Sequence, residues 1–160
     1  MDKLLLQQQV LKRLAEDLVQ VEQAARVAHE AATHEENIAE NKYDTLGLEA
    51  AYLAAGQTRR AQAILQAMAH WRQFRPQPYN ASQGIQLGAL ICLVDSDGQQ
   101  QQIFLGPDGG NMKLLNGAGL IQVISSKAPL GRAMLGKCEG DEVTVQVAPL
   151  QQQFEVLWVH

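Results

Sequence analysis

Residues 3–32 read KLLLQQQVLKRLAEDLVQVEQAARVAHEAA, and this stretch decides the first half of the fold. Leu4, Leu11, Leu18 and Ala25 recur at one heptad position, and Leu14, Val21 and Ala28 at the other. Apolar residues at that period line one seam of a helix that packs on a partner helix. Neither Gly nor Pro interrupts the run. A helix of about 30 residues spans ~45 Å. A second heptad follows in Ala50, Ala54, Gln57, Ala61, Ile64, Met68 and Trp71, spaced alternately four and three. Small alanines in both seams let two helices approach closely. Two such helices joined by a short turn form an antiparallel hairpin. Gly56 lies inside the second helix and weakens it by ~1 kcal/mol relative to Ala.

The two patterns meet in an acidic run. Residues 29–49 hold Glu30, Glu35, Glu36, Glu40, Asp44 and Glu49 against Lys42. The capping chemistry offers two starts for the second helix. Asn37 with Glu40 three residues later has the form of a capping box with Asn in place of Ser or Thr, and Thr33 with Glu36 competes. The start is placed near residue 37, which puts Glu40 in the first turn, where the helix dipole favours an anion. The expected apex spans residues 33–44.

At Pro76-Gln-Pro78 the pattern changes. Two prolines one residue apart stop a helix and make a short, stiff linker. Beyond it the period falls toward two. Leu87–Val94 reads as a buried strand, ended by the turn Asp95-Ser-Asp-Gly98, with Gln100–Leu105 as its hairpin partner. Residues 106–110 read as a loop, residues 120–124 and 142–148 as strands, and Phe154–Val159 as a terminal strand. Pro129–Leu135 reads as a short helix with Pro in its first turn and Gly136 as its stop. The stretch 106–119, rich in Gly, gives no clear pattern. The expected domains are therefore 1–75, a hairpin, and 76–160, a mostly β unit. The fold class is α+β.

Composition narrows the function. The chain has 160 residues, 46% of them hydrophobic, with a net charge of −4. That excludes a disordered chain and argues against a general nucleic-acid-binding surface. Residues 1–75 carry nine basic and ten acidic residues, and 76–160 four and seven. Leu4–Leu6 is followed too soon by glutamines and charges to be a secretion signal, and no apolar run reaches membrane-spanning length. Cys92 and Cys138 share no motif spacing and read as free thiols in a reducing cytoplasm.

Several local patterns have bland readings. Gly131-RAML-Gly136-Lys137 fits the spacing of a phosphate-binding loop, but Cys138 stands where Ser or Thr would hold Mg²⁺. Gly131 and Gly136 bounding a short helix, with Arg132 and Lys137 on the surface, is the preferred reading. His29 and His34 are five apart, which does not put them on one helical face for a metal. Arg59 and Arg60 read as solvated charges. Phe104, Phe154 and Trp158 fit a sheet core.

The segment Ile121-QVISSKAPLGRAMLGKCEGDEVTV-Gln146 resembles the C-terminal signature of the GreA/GreB family of transcript-cleavage factors: a strand, a turn of helix, and a "GDEV" turn into the next strand. Glu40-Asn41 followed by Tyr43 is similar to that family's "ENAEY" motif, one residue shorter because Lys42 directly precedes Tyr43. The resemblance covers essentially the whole chain. It implies an N-terminal antiparallel α-helical coiled-coil hairpin followed by a C-terminal FKBP-like antiparallel β domain with a short helix. An FKBP-like fold does not by itself imply prolyl isomerase activity.

The resemblance also implies RNA polymerase as partner. The globular domain would dock at the rim of the secondary channel, and the coiled coil would carry its apex toward the active site. Contact with the RNA 3′ end is indirect, and neither a membrane nor stable nucleic-acid binding by the chain alone is expected. The chain would be no enzyme itself and would at most stimulate the polymerase's own transcript hydrolysis. It would need no cofactor beyond polymerase-bound Mg²⁺. Glu40, with Glu36 and Glu35, would position metal and water, and no metal would be stably bound. Asn37, Asn41, Tyr43, Arg132 and Lys137 would serve partner binding. The family's Asp falls on Asn37, which can cap the helix but carries no charge. Two readings stay open: stimulated cleavage, and a non-cleaving channel-binding regulator or interaction module. The related short-hairpin regulators of nucleoside diphosphate kinase fit less well, because the heptads here are long.

Overall fold

A computed structural model describes residues 2–33, 46–108, 112–117 and 119–160. Two helices open the chain, α1 (Lys3–Thr33) and α2 (Leu46–Gln73). Asp2 caps the first: its Oδ1 accepts the Leu4 N–H at 2.9 Å, which satisfies an orphan donor of the opening turn. The chain forms two compact units. One comprises residues 11–69, and the other residues 1–10 together with 70–160.

In the helical unit burial falls on Leu14 and Val21 of α1 and on Ala67 and Met68 of α2. Ala25 and Ala28 of α1, and Ala50, Ala54, Gln57, Ala61 and Ile64 of α2, are half-buried. The heptad seams are therefore the less exposed faces of this antiparallel pair. The expected second-helix start near residue 37 lies outside the described residues.

In the other unit, six strands among the described residues form one sheet. They are β1 (Leu90–Asp95), β2 (Gln100–Gly106), β3 (Met112–Asn116), β4 (Gly119–Ser125), β5 (Glu142–Val147) and β6 (Leu150–Val159). Their order is β3-β4-β2-β1-β6-β5. Pairing is antiparallel throughout except between β2 and β4, which run parallel with Phe104 opposite Val123. The first strand begins at Leu90 rather than Leu87. Gly88 has φ +89° and its N–H donates to the Leu105 carbonyl at 2.8 Å, so the chain turns there before it can extend.

Successive strand residues alternate between two faces. One face carries Ile91, Leu93, Ile103, Leu105 and Ile124, packed with Met134, Val143 and Val156. The opposite face carries Leu90, Phe104, Ile121 and Val123, all fully buried. Trp71 packs on that second face, its ring centroid 5.8 Å from that of Phe104. Leu6, Val10 and Trp71 are buried in the same unit. Gln7, also buried, donates its carboxamide N–H to the carbonyls of Trp71 and Phe74. This ties the start of α1 to the end of α2 and leaves the Gln7 side chain paired.

The short helix α3 (Pro129–Met134) joins β4 to β5. Pro129 opens it, where a missing N–H costs nothing. Gly136, with φ +79°, turns the chain away after it. Gly131 sits so close to the preceding turn that a Cβ would lie 2.1 Å from the Ser125 carbonyl oxygen. Gly131→Ala is therefore expected to lower stability by about 1–3 kcal/mol, the usual cost of overpacking. Urea unfolding of the two proteins checks this, and equal midpoints would refute it.

Candidate functional site

The candidate site has two parts in the sequence. Glu35, Glu36, Asn37, Glu40, Asn41 and Tyr43 lie outside the described residues. Arg132 and Lys137 are described, and both belong to the α3 segment.

That segment is built by tight backbone bonding. The Ser125 side-chain oxygen accepts the Lys127 N–H at 3.1 Å, and the Ser125 carbonyl accepts the Ala128 N–H at 3.0 Å. These bonds aim the chain into α3. At its exit the Gly136 N–H donates to the Ile85 carbonyl at 2.9 Å, and the Ile85 N–H returns to the Lys137 carbonyl at 2.8 Å. Gly84 makes room for this clasp: a Cβ there would meet the Gly136 carbonyl oxygen at 2.4 Å. Arg132, in the last turn of α3, is exposed, and Lys137 is half-buried just past Gly136. Neither forms an ion pair among the described residues. The result is two cations on a rigid helix-and-turn platform, available to an acidic or polar surface.

The turn into β5 is locked by its own acids. Asp141 Oδ2 accepts the Cys138 N–H at 2.8 Å, and Glu139 Oε1 accepts the Val159 N–H at 3.0 Å. The Cys138 thiol donates to the Ala81 carbonyl at 3.5 Å. Desolvation raises the Tyr79 phenol above its ordinary range, and its hydrogen bond with the Cys138 thiol and the charge of Glu139 add to the effect. The contacts of Tyr79 and Glu139 leave no local pattern in the sequence, because their partners Cys138 and Val159 are far away in the chain. The Gly-Asp-Glu pattern alone signalled only a turn.

The Gly131–Lys137 spacing is no phosphate loop: Gly131 lies within α3, buried against the Ser125 carbonyl, and Gly136 follows the helix instead of preceding it. Among the described residues no group of three or more His, Cys, Asp or Glu side chains is placed to hold a metal ion. Cys92 and Cys138 are both free thiols, and burial raises the Cys92 thiol above its usual value. Arg59 and Arg60 are exposed on α2. Phe104 is fully buried, Phe154 packs partly buried on the core, and Trp158 is half-buried. Among the described residues no helix is long and apolar enough to cross a membrane.

Residues 80–160 match the family model described as transcription elongation factor, GreA/GreB, C-terminal. The transcription elongation factor GreA of Alkalilimnicola ehrlichii is 32% identical over 102 residues, 62% of this chain and 60% of that protein. The corresponding GreA of Desulfotalea psychrophila is 38% identical over 72 residues, 44% of this chain and 40% of its own. These matches span roughly half the length of the relatives. Among solved structures, GreA factor homolog 1 of Thermus thermophilus aligns over 94% of both chains at 20% identity with a TM-score of 0.39. The chain belongs to the GreA/GreB family.

Proposed function

We propose that this chain is a transcription elongation factor that binds RNA polymerase, with its globular unit at the rim of the secondary channel and its coiled coil inside. The observation that carries this reading is the family match over residues 80–160, which includes the whole α3 platform with Arg132 and Lys137. The factor is not an enzyme. It acts on the polymerase's own chemistry, and the only metal involved is the polymerase's Mg²⁺.

The acidic run suits that chemistry. Polymerases use two metal ions to clamp the attacking and leaving oxygens of an in-line displacement. Mg²⁺ is bound through one or two carboxylates with several waters retained. A carboxylate delivered from outside can complete the shell of a loosely held ion and orient a water toward the RNA phosphodiester. Glu40, in the expected first helical turn, is the residue placed for this, with Glu36 or Glu35 as helper. Asn41 and Tyr43 would serve partner binding.

Capture of core RNA polymerase by the immobilised full chain tests the proposal. Retention in near-stoichiometric amount is expected, and no retention would end it. For the sharper role, Glu40→Ala is expected to reduce RNA cleavage in backtracked complexes by about 10²-fold or more. Unchanged cleavage would remove Glu40 from that role. A second reading rests on Asn37, which is neutral where the family's Asp falls: the chain then occupies the channel without stimulating cleavage. Competition with an authentic cleavage factor separates the two. Displacement accompanied by RNA cleavage supports the first, and displacement without it supports the second.

A further inference from the structure

Within the globular unit the first turn of α1, the segment after α2 and the turn before β1 border a half-open cavity of about 320 Å³. Its lining has an unusual charge balance for a chain of net charge −4. Lys3 and Arg75 contribute two cations, and no carboxylate lines the cavity among the described residues. The Lys3 ammonium donates to the Gln77 carbonyl at 2.8 Å. That bond uses one of three donors, and no ion pair among the described residues involves Lys3. Burial lowers the Lys3 ammonium below its ordinary value, as expected of a cation without a counter-ion.

The remaining walls are amide and aromatic. Asn80 Oδ1 accepts both the N–H and the hydroxyl of Ser82, at 3.0 and 2.8 Å. The acceptor end of its carboxamide is thereby fixed. Asn80 and Gln83 line the cavity beside Phe74 and Tyr79. The volume lies at the lower end of small-molecule sites, which begin at about 300 Å³. A lysine point charge suits a phosphate, while carboxamides and aromatic walls suit a polar ring.

We propose that this cavity binds a small phosphorylated molecule bearing a polar ring, no larger than a mononucleotide, with its phosphate on Lys3 and its ring against the Asn80–Gln83 wall. The site is independent of the acidic apex and of the elongation reading.

Titration calorimetry on the full chain tests the site with adenosine monophosphate, uridine monophosphate and inorganic phosphate as separate probes. At least one nucleoside monophosphate is expected to bind in the micromolar-to-millimolar range, about tenfold or more tighter than inorganic phosphate. Lys3→Gln is expected to weaken that binding about 10- to 100-fold, the range for loss of a hydrogen bond to a charged group. Asn80→Asp keeps the acceptor that Ser82 needs and adds a negative charge to the wall, so it should weaken binding as well. Lys113→Gln, on β3 and outside the cavity, should leave it unchanged. Circular dichroism establishes that each variant is folded, and Asn80→Asp alone suffices if Lys3→Gln is not. The proposal is overturned if neither nucleotide binds, if inorganic phosphate binds as tightly as they do, or if the folded variants bind like the parent. It is equally overturned if Lys3→Gln lowers only affinity for RNA polymerase, because Lys3 would then meet an acidic protein surface.

Discussion

Trp71→Ala is expected to destabilise the globular unit by about 3–5 kcal/mol, the usual cost of truncating a buried aromatic. The side chain is fully buried. Its indole N–H donates to the Asp108 carbonyl at 3.0 Å, and its ring meets Phe74 edge-on at 5.8 Å between centroids. Neighbouring His70 reaches the same loop, its Nδ1 lying 2.8 Å from Asp108 Oδ2. Removing the indole takes away the cover of Phe104 and the anchor of the loop after β2 together. For a domain stabilised by about 5–15 kcal/mol, that loss is a large share of the total. Urea denaturation gives the number directly, and a loss below ~1 kcal/mol would contradict the packing. Gly106 supplies an internal check. A Cβ on Gly106 would lie 2.3 Å from Trp71 Cζ2. Gly106→Ala should therefore cost about 1–3 kcal/mol in the parent and far less once Trp71 is alanine. Additive losses would mean that the ring and the glycine do not compete for the same space.

Much of the architecture could be read from periodicity, and the exceptions have physical causes. The hairpin was visible because alanine and leucine recur at four-three spacing in both helices. Its first turn was not. Leu4 opens the heptad in the sequence yet is 56% exposed, while Leu6, Gln7 and Val10 are buried. Three consecutive leucines offer every register there, and these residues belong to the globular unit, so a different face is buried. Strand β3 was hidden in the Gly-rich stretch. It has five residues, of which only Leu114 is buried while Leu115 is 79% exposed, so its short sequence carries no alternation. The parallel pairing of β2 with β4 leaves no local trace, because it depends on the path of the intervening chain. In the candidate site, Arg132 and Lys137 were named from the resemblance. The Tyr79–Cys138 contact and the clasp of Ile85 on Gly136 and Lys137 link residues about fifty to sixty apart, which no spacing rule reaches.

Asn37→Asp is expected to raise RNA cleavage in backtracked polymerase complexes by about 10²-fold, a gain of ~2.7 kcal/mol in transition-state stabilisation. The substitution is nearly a pure change of charge. Asn and Asp are about equal as helix N-caps, so the start of the second helix should be kept in either case. The new carboxylate lies three residues before Glu40, a spacing that brings side chains together on a helix face. A paired Asp and Glu could share the ligation of Mg²⁺ and the orientation of water, whereas the amide of Asn37 contributes neither charge nor a base. The double variant Asn37→Asp with Glu40→Ala should lose the gain, since the new carboxylate acts together with Glu40. Affinity for polymerase, measured in parallel, should stay within about twofold, because a single apex charge is small beside a docking interface of standard size. If cleavage does not rise while binding persists, the neutral residue at position 37 is not what limits hydrolysis, and the apex acids serve entry into the channel rather than chemistry.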